Sequence, residues 1–98
     1  MIKEVSNDKA FWFCNSSGFT GKIAHSLTEF SEALRTVPTD SLEFHLRDNK
    51  NDFEAWLKEI IQDPKLAESM KRIKNKGLKG DALRASINKI ARKISKSA

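Results

Sequence analysis

The sequence predicts a mainly α fold, a compact domain of four to five helices with a short N-terminal β-hairpin. Three observations predict it. From residue 26 onward, apolar side chains recur at spacings of three and four, the period of a helix with one buried face. Capping residues and the two prolines divide that stretch into separate helices. Ahead of it, aromatic residues on either side of Asn15-Ser16-Ser17-Gly18 alternate as two strands joined by a turn.

In the expected hairpin, residues 10–23, Phe11 and Phe13 alternate with Trp12 and Cys14, and Phe19-Thr20-Gly21-Lys22-Ile23 forms the return strand. Two strands alone are marginal in water, so their aromatic face must rest on the helices. Ser26-Leu27-Thr28-Glu29 is a capping box: the Ser oxygen accepts one free N–H and Glu29 reaches back to another. Leu27, Phe30, Leu34 and Val37 follow at helical spacing, and Pro38 stops the helix. Asp40 is placed to cap a short next segment, with Glu43 at the matching position. There Leu42, His45 and Leu46 suit a helix, while Leu42, Phe44 and Leu46 alternate as in a strand; the helix is adopted.

Asn51 caps the clearest helix, with Phe53, Trp56, Leu57 and Ile60 along one face. Asp63-Pro64, a cap followed by proline at the first helical position, starts a new helix with Leu66, Met70 and Ile73 as its stripe and Gly77 as its stop. The last helix opens near Gly80-Asp81. Its Leu83, Ile87, Ile90 and Ile94 fall within roughly 60° on a helical wheel, with Lys89, Arg92, Lys93 and Lys96 opposite. The expected core joins Phe30, Leu34, Phe53, Trp56, Leu57, Leu66, Met70, Leu83 and Ile87. Residues 1–9 form a flexible lead, 10–95 a single domain, and 96–98 a frayed end.

Length and composition bound the function. With 98 residues the chain builds one domain, and six Phe and two Trp argue against disorder despite 32% charged residues. The longest apolar run, Ala10-Phe11-Trp12-Phe13-Cys14, is far short of the ~20 residues of a membrane span. The first residues lack the apolar stretch of a signal peptide, and a single cysteine makes neither an internal disulfide nor a metal framework. A cytoplasmic protein, monomeric or weakly dimeric and without cofactor, is expected. Its charge is split: residues 1–70 hold eight Lys/Arg against twelve Asp/Glu, and residues 71–98 hold ten against Asp81 alone. Such asymmetry points to an anionic partner, although a basic face also serves solubility.

Candidate chemistry is sparse. Cys14, His25 and His45 are the soft metal ligands, without the local pairing of a zinc site. Cys14, beside Phe13 and the turn, suits a small packed residue better than a nucleophile. His45, with Arg47 and Asp52, forms the candidate polar cluster. A carboxylate-oriented imidazole can do acid–base work, yet a histidine tying elements together by hydrogen bonds explains it as well. Phe53 and Trp56 suit a core better than a stacking platform. No Gly-rich loop follows a strand and no nucleophile motif is present, so a non-enzymatic protein with no catalytic, cofactor or metal site is expected.

Lys76-Gly77-Leu78-Lys79-Gly80 is a G-x-x-G loop opening onto a helix, and such a loop can hold phosphates on backbone N–H groups. It looks similar to the clamp of KH domains, but KH modules need strands ahead of the loop, where residues 64–74 read as helix. A nucleic-acid partner would meet Lys76, Lys79, Lys89, Arg92, Lys93 and Lys96. The compact Leu/Ile stripe suits a core rather than a membrane surface.

Ser26-Leu27-x-Glu29-Phe30, Val37-Pro38-x-x-Ser41-Leu42-Glu43-Phe44-His45, Asp52-Phe53-x-x-Trp56 and Asp63-x-x-Leu66-Ala67 stand in this order. The series resembles a small prokaryotic, largely archaeal family of unknown function, over roughly residues 10–95. The resemblance implies the architecture and adds no activity. The expected function is a small interaction domain for a protein with an acidic face, the alternative being a sequence-tolerant nucleic-acid binder.

Overall fold

The computed structural model describes residues 4–97. Five helices stand behind a two-stranded antiparallel hairpin, the fold class that the residue pattern predicts. Strands β1 (Phe11–Asn15) and β2 (Gly18–Ala24) precede α1 (Leu27–Thr36), α2 (Thr39–His45), α3 (Asp52–Trp56), α4 (Pro64–Asn75) and α5 (Gly80–Ser97). Residues 1–3 of the expected lead and residue 98 of the expected frayed end lie outside the described residues. Asn7–Lys9 forms one 3-10 turn, and the Val5 N–H donates to His25 O at 2.8 Å.

The hairpin register pairs Phe11 with Ala24 and Trp12 with Ile23, then slips between Phe13 and Cys14. The slip leaves Thr20 and Gly21 as extra residues, and the Thr20 hydroxyl donates to Phe13 O at 2.7 Å, satisfying a carbonyl beside the break. Gly21, at φ 96°, supplies the conformation that the bulge needs.

Three caps lie where local sequence places them: Ser26, Asn51 and Asp63 accept from the N–H groups of Glu29, Glu54 and Leu66. The structure corrects four details. Glu29 does not close a box on Ser26; its Oε1 accepts from the N–H and ring of His25, one residue earlier. Asp40 is not a cap, because α2 starts at Thr39 after Pro38. The helix after Asn51 loosens into a π-turn at Leu57–Ile61, ending at Gln62 in the left-handed conformation (φ 63°). Leu66 packs at the margin and is only half-buried.

The other eight expected core residues are buried. Phe11 lies at the centre of an aromatic cluster, with its ring centroid 4.7 Å from Phe13, 5.5 Å from Phe30 and 5.3 Å from Phe53. Trp56 is 7% exposed, and its indole N–H donates to Lys9 O at 2.8 Å, joining α3 to the N-terminal turn. Helix α1 packs against α5, with Ser31 Oγ 3.4 Å from Ser95 Oγ and Arg84 Nη1 donating to Leu34 O at 2.9 Å. Leu83, Ile87, Ile90 and Ile94 of α5 are all buried, as their wheel position requires.

Candidate functional site

Histidine 45 ends α2 with its ring inside the aromatic cluster, 4.7 Å from Phe11 and 5.4 Å from Phe53 by centroid, and only 5% exposed. The Cys14 N–H points at Nε2 from 3.0 Å, so Nε2 is the acceptor. Nδ1 therefore carries the proton and donates to Asp52 Oδ2 at 2.8 Å. One neutral imidazole thus joins β1, α2 and the first residue of α3. Burial is the main cause lowering its pKa below the ordinary imidazole value, against the Asp52 hydrogen bond and charge, which raise it. Both ring nitrogens are engaged, and neither is free for a substrate.

Of the candidate cluster, His45 and Asp52 meet and Arg47 stays outside. Its guanidinium lies 3.8 Å from the Phe44 ring centroid and donates to Phe44 O. Cys14 is half-buried, and its thiol approaches Trp12 O at 3.6 Å. His25 sits elsewhere, between Glu29 Oε1 (2.9 Å) and Asn7 Oδ1 (2.6 Å). Among the described residues, no three His, Cys, Asp or Glu side chains gather as ligands.

The glycine loop is already filled. Gly77 takes the left-handed position after α4 (φ 65°), and the Gly80 N–H at the start of α5 donates to Glu43 Oε2 at 2.8 Å. The chain's own carboxylate therefore lies where a phosphate would be held. An open cleft of about 750 Å³ beside it is lined by Glu43, Phe44, Arg47, Lys74 and Lys79, among others. Lys74 Nζ donates there to Leu46 O and Asp48 O, capping the end of α2. Lys76 and Lys79 are exposed.

Helix α5 divides its cations. Arg84 turns inward and donates to Leu34 O, Val37 O and Thr39 Oγ1, holding α1 to α2. Lys89, Arg92, Lys93 and Lys96 are exposed, and none pairs with a carboxylate among the described residues.

The outer face of the hairpin carries two residues that sequence reasoning passed over. Trp12 and Phe19 are 45% and 49% exposed, the large hydrophobic residues left open to solvent among those described. Their ring centroids are 5.1 Å apart, and the Trp12 indole N–H donates to Asn7 O at 3.0 Å. The signal was present: Phe11 and Phe13 point inward, so strand alternation sends Trp12 outward.

The model of a family of unknown function, DUF5752, matches residues 1–92. The chain belongs to the DUF5752 family. No curated protein and no solved structure matches it. The DUF5752 match takes in the hairpin, α1 to α4 and α5 as far as Arg92. The Trp12–Phe19 pair, the His45–Asp52 pair, Lys89 and Arg92 thus lie inside the family domain, and Lys93 and Lys96 lie beyond it. No helix of the described residues is long and apolar enough to cross a membrane.

Proposed function

We propose that this DUF5752 protein is a small non-enzymatic interaction domain that docks a protein partner on the outer face of its hairpin. The observation that carries this reading is the Trp12–Phe19 pair: two large aromatic side chains in contact, half-exposed and held in place. Six aromatic residues, Phe11, Phe13, Phe30, Phe44, Phe53 and Trp56, are buried or half-buried, so the fold has the means to cover such rings. Exposed aromatics of this kind anchor protein interfaces, because they bury much apolar area at a low entropic cost. The hydrogen bond from Trp12 to Asn7 O fixes one ring before a partner arrives, which lowers that cost further.

The partner face this suits has an apolar pocket for the two rings. The net charge of +5 steers the whole chain toward an acidic molecule but is concentrated in residues 71–98, away from the hairpin in sequence. The engagement of both His45 nitrogens supports a non-enzymatic role. A photo-crosslinking amino acid placed at Phe19 in cells, against the same group at exposed Arg35 on α1, tests the reading. A discrete cross-linked protein from position 19 alone is expected; equal, diffuse labelling from both positions would refute it.

A further inference from the structure

We propose that the outward face of α5 is a nucleic-acid binding surface, on which Lys89, Arg92, Lys93 and Lys96 hold backbone phosphates. This surface is separate from the hairpin face, because α1 packs between β2 and α5.

The first argument is that these four cations are unspent. Some basic side chains are used within the fold: Lys74 and Arg84 cap carbonyls, Arg47 lies on Phe44, and Lys50 pairs with Asp52 at 3.4 Å. Lys58, Lys65 and Lys71, by contrast, are as unpaired as the α5 four among the described residues. Lys89, Arg92, Lys93 and Lys96 have no carboxylate within salt-bridge distance among the described residues. The one acid of α5, Asp81, is eight residues from Lys89, or about 12 Å along the axis.

The second argument is register. Offsets of three, four and seven residues from Lys89 put all four cations on one side, and the opposite side, Leu83, Ile87, Ile90 and Ile94, is buried against the body. The helix can meet a ligand along its length without unpacking. From Lys89 to Lys96 is about 10 Å of axis, in which one strand of a duplex advances about three phosphate steps of 3.4 Å.

The third argument separates nucleic acid from an acidic protein. Ala82 and Ala85 extend the exposed face toward the helix start, so it holds no large apolar side chain. Protein interfaces rely on buried aromatic or apolar anchors and are depleted in lysine. A phosphate backbone needs only charge at a suitable spacing, and this face carries no aromatic side chain to stack on bases. The glycine loop is outside the surface, since Glu43 fills the N-terminus of α5 and would repel a phosphate there.

Titration of labelled duplex DNA and single-stranded RNA tests the assignment, with unlabelled poly-glutamate as competitor. With four duplex contacts, affinity should fall roughly 150-fold between about 50 and 200 mM salt, and only about 3.5-fold in a Lys89→Gln/Arg92→Gln/Lys93→Gln variant that keeps one contact. For RNA the corresponding losses are about 50-fold and 2.6-fold. A Lys58→Gln/Lys65→Gln/Lys71→Gln variant removes as much charge from α4 and the preceding turn and should behave like wild type. Thermal melting of both variants shows whether each is folded. Should the α5 variant fail to fold, protection of Lys89 and Lys93 from acetylation by bound DNA in wild type gives the same answer. Equal weakening by both variants, no binding by wild type at low salt, or no protection of the two lysines would overturn the proposal. Competition by poly-glutamate as strong as by unlabelled DNA would overturn it in favour of an acidic protein.

Discussion

Replacing His45 with phenylalanine isolates the hydrogen bonds that join the hairpin to α2 and α3. The phenyl ring keeps the shape and the contacts with Phe11 and Phe53, but removes the acceptor for the Cys14 N–H and the donor to Asp52. The Cys14 N–H then faces an apolar ring, and a buried unpaired donor costs about 1–3 kcal/mol. Asp52 is 31% exposed with Lys50 beside it, so solvent replaces most of what it loses. A net loss of about 2 kcal/mol is expected, equivalent to a melting midpoint roughly 8–16 °C lower in a domain of this size. Asp52→Asn keeps an oxygen for Nδ1–H and should cost about 1 kcal/mol or less.

The pH dependence carries a second signature. The folded pKa of His45 lies below its ordinary value of 6.5, so in the window between the two the unfolded chain binds more protons. Stability therefore declines as pH falls below about 6.5 and levels off once the folded imidazole also protonates. His45→Phe keeps His25, so the difference between the two pH profiles belongs to His45. Urea melts followed by circular dichroism from about pH 7.5 to 5 measure both effects. An unchanged midpoint, together with parallel pH profiles, would refute the account of His45.

Trp56→Ala should cost about 3–5 kcal/mol, because it opens a cavity beside Phe11 and Phe30; an unchanged melting midpoint would place the ring outside the core. Glu43→Ala should lower stability by about 1 kcal/mol through loss of the Gly80 cap, with Glu43→Gln recovering most of it; chemical denaturation of the three proteins decides it. Trp12→Ala/Phe19→Ala should leave the fold within about 1 kcal/mol of wild type, and a collapse on thermal melting would make the pair structural. Metal analysis of purified, untagged protein should find no stoichiometric transition metal; one zinc per chain, lost in Cys14→Ser or His45→Ala, would contradict this.

What the sequence reveals follows the range of each interaction. Ser26, Asn51 and Asp63 were legible as caps because each bonds an N–H three residues away, and the α5 stripe because a helix repeats its faces locally. Glu43 and Arg84 were not, since their partners lie 37 to 50 residues away and only the tertiary fold brings them together. His45 stood between: its tie to Asp52 spans seven residues and was within reach of pattern reasoning, whereas its bond from Cys14 spans 31. The π-turn at Leu57–Ile61 left the apolar spacing unbroken, so periodicity read through it. Trp12 and Phe19 look like any strand aromatics until the hairpin is seen to have helices on one face only.

The most direct test of the docking function is a quantitative pull-down from the native organism with nuclease present. It compares wild type, folded Trp12→Ala/Phe19→Ala and the α5 glutamine variant, and each retained protein is then titrated in purified form. One protein bound directly by wild type and the α5 variant, and weakened at least tenfold by loss of the two aromatics, is the expected result. Retention of the same proteins with the same affinities by all three chains would contradict the claim that the hairpin face is the docking surface.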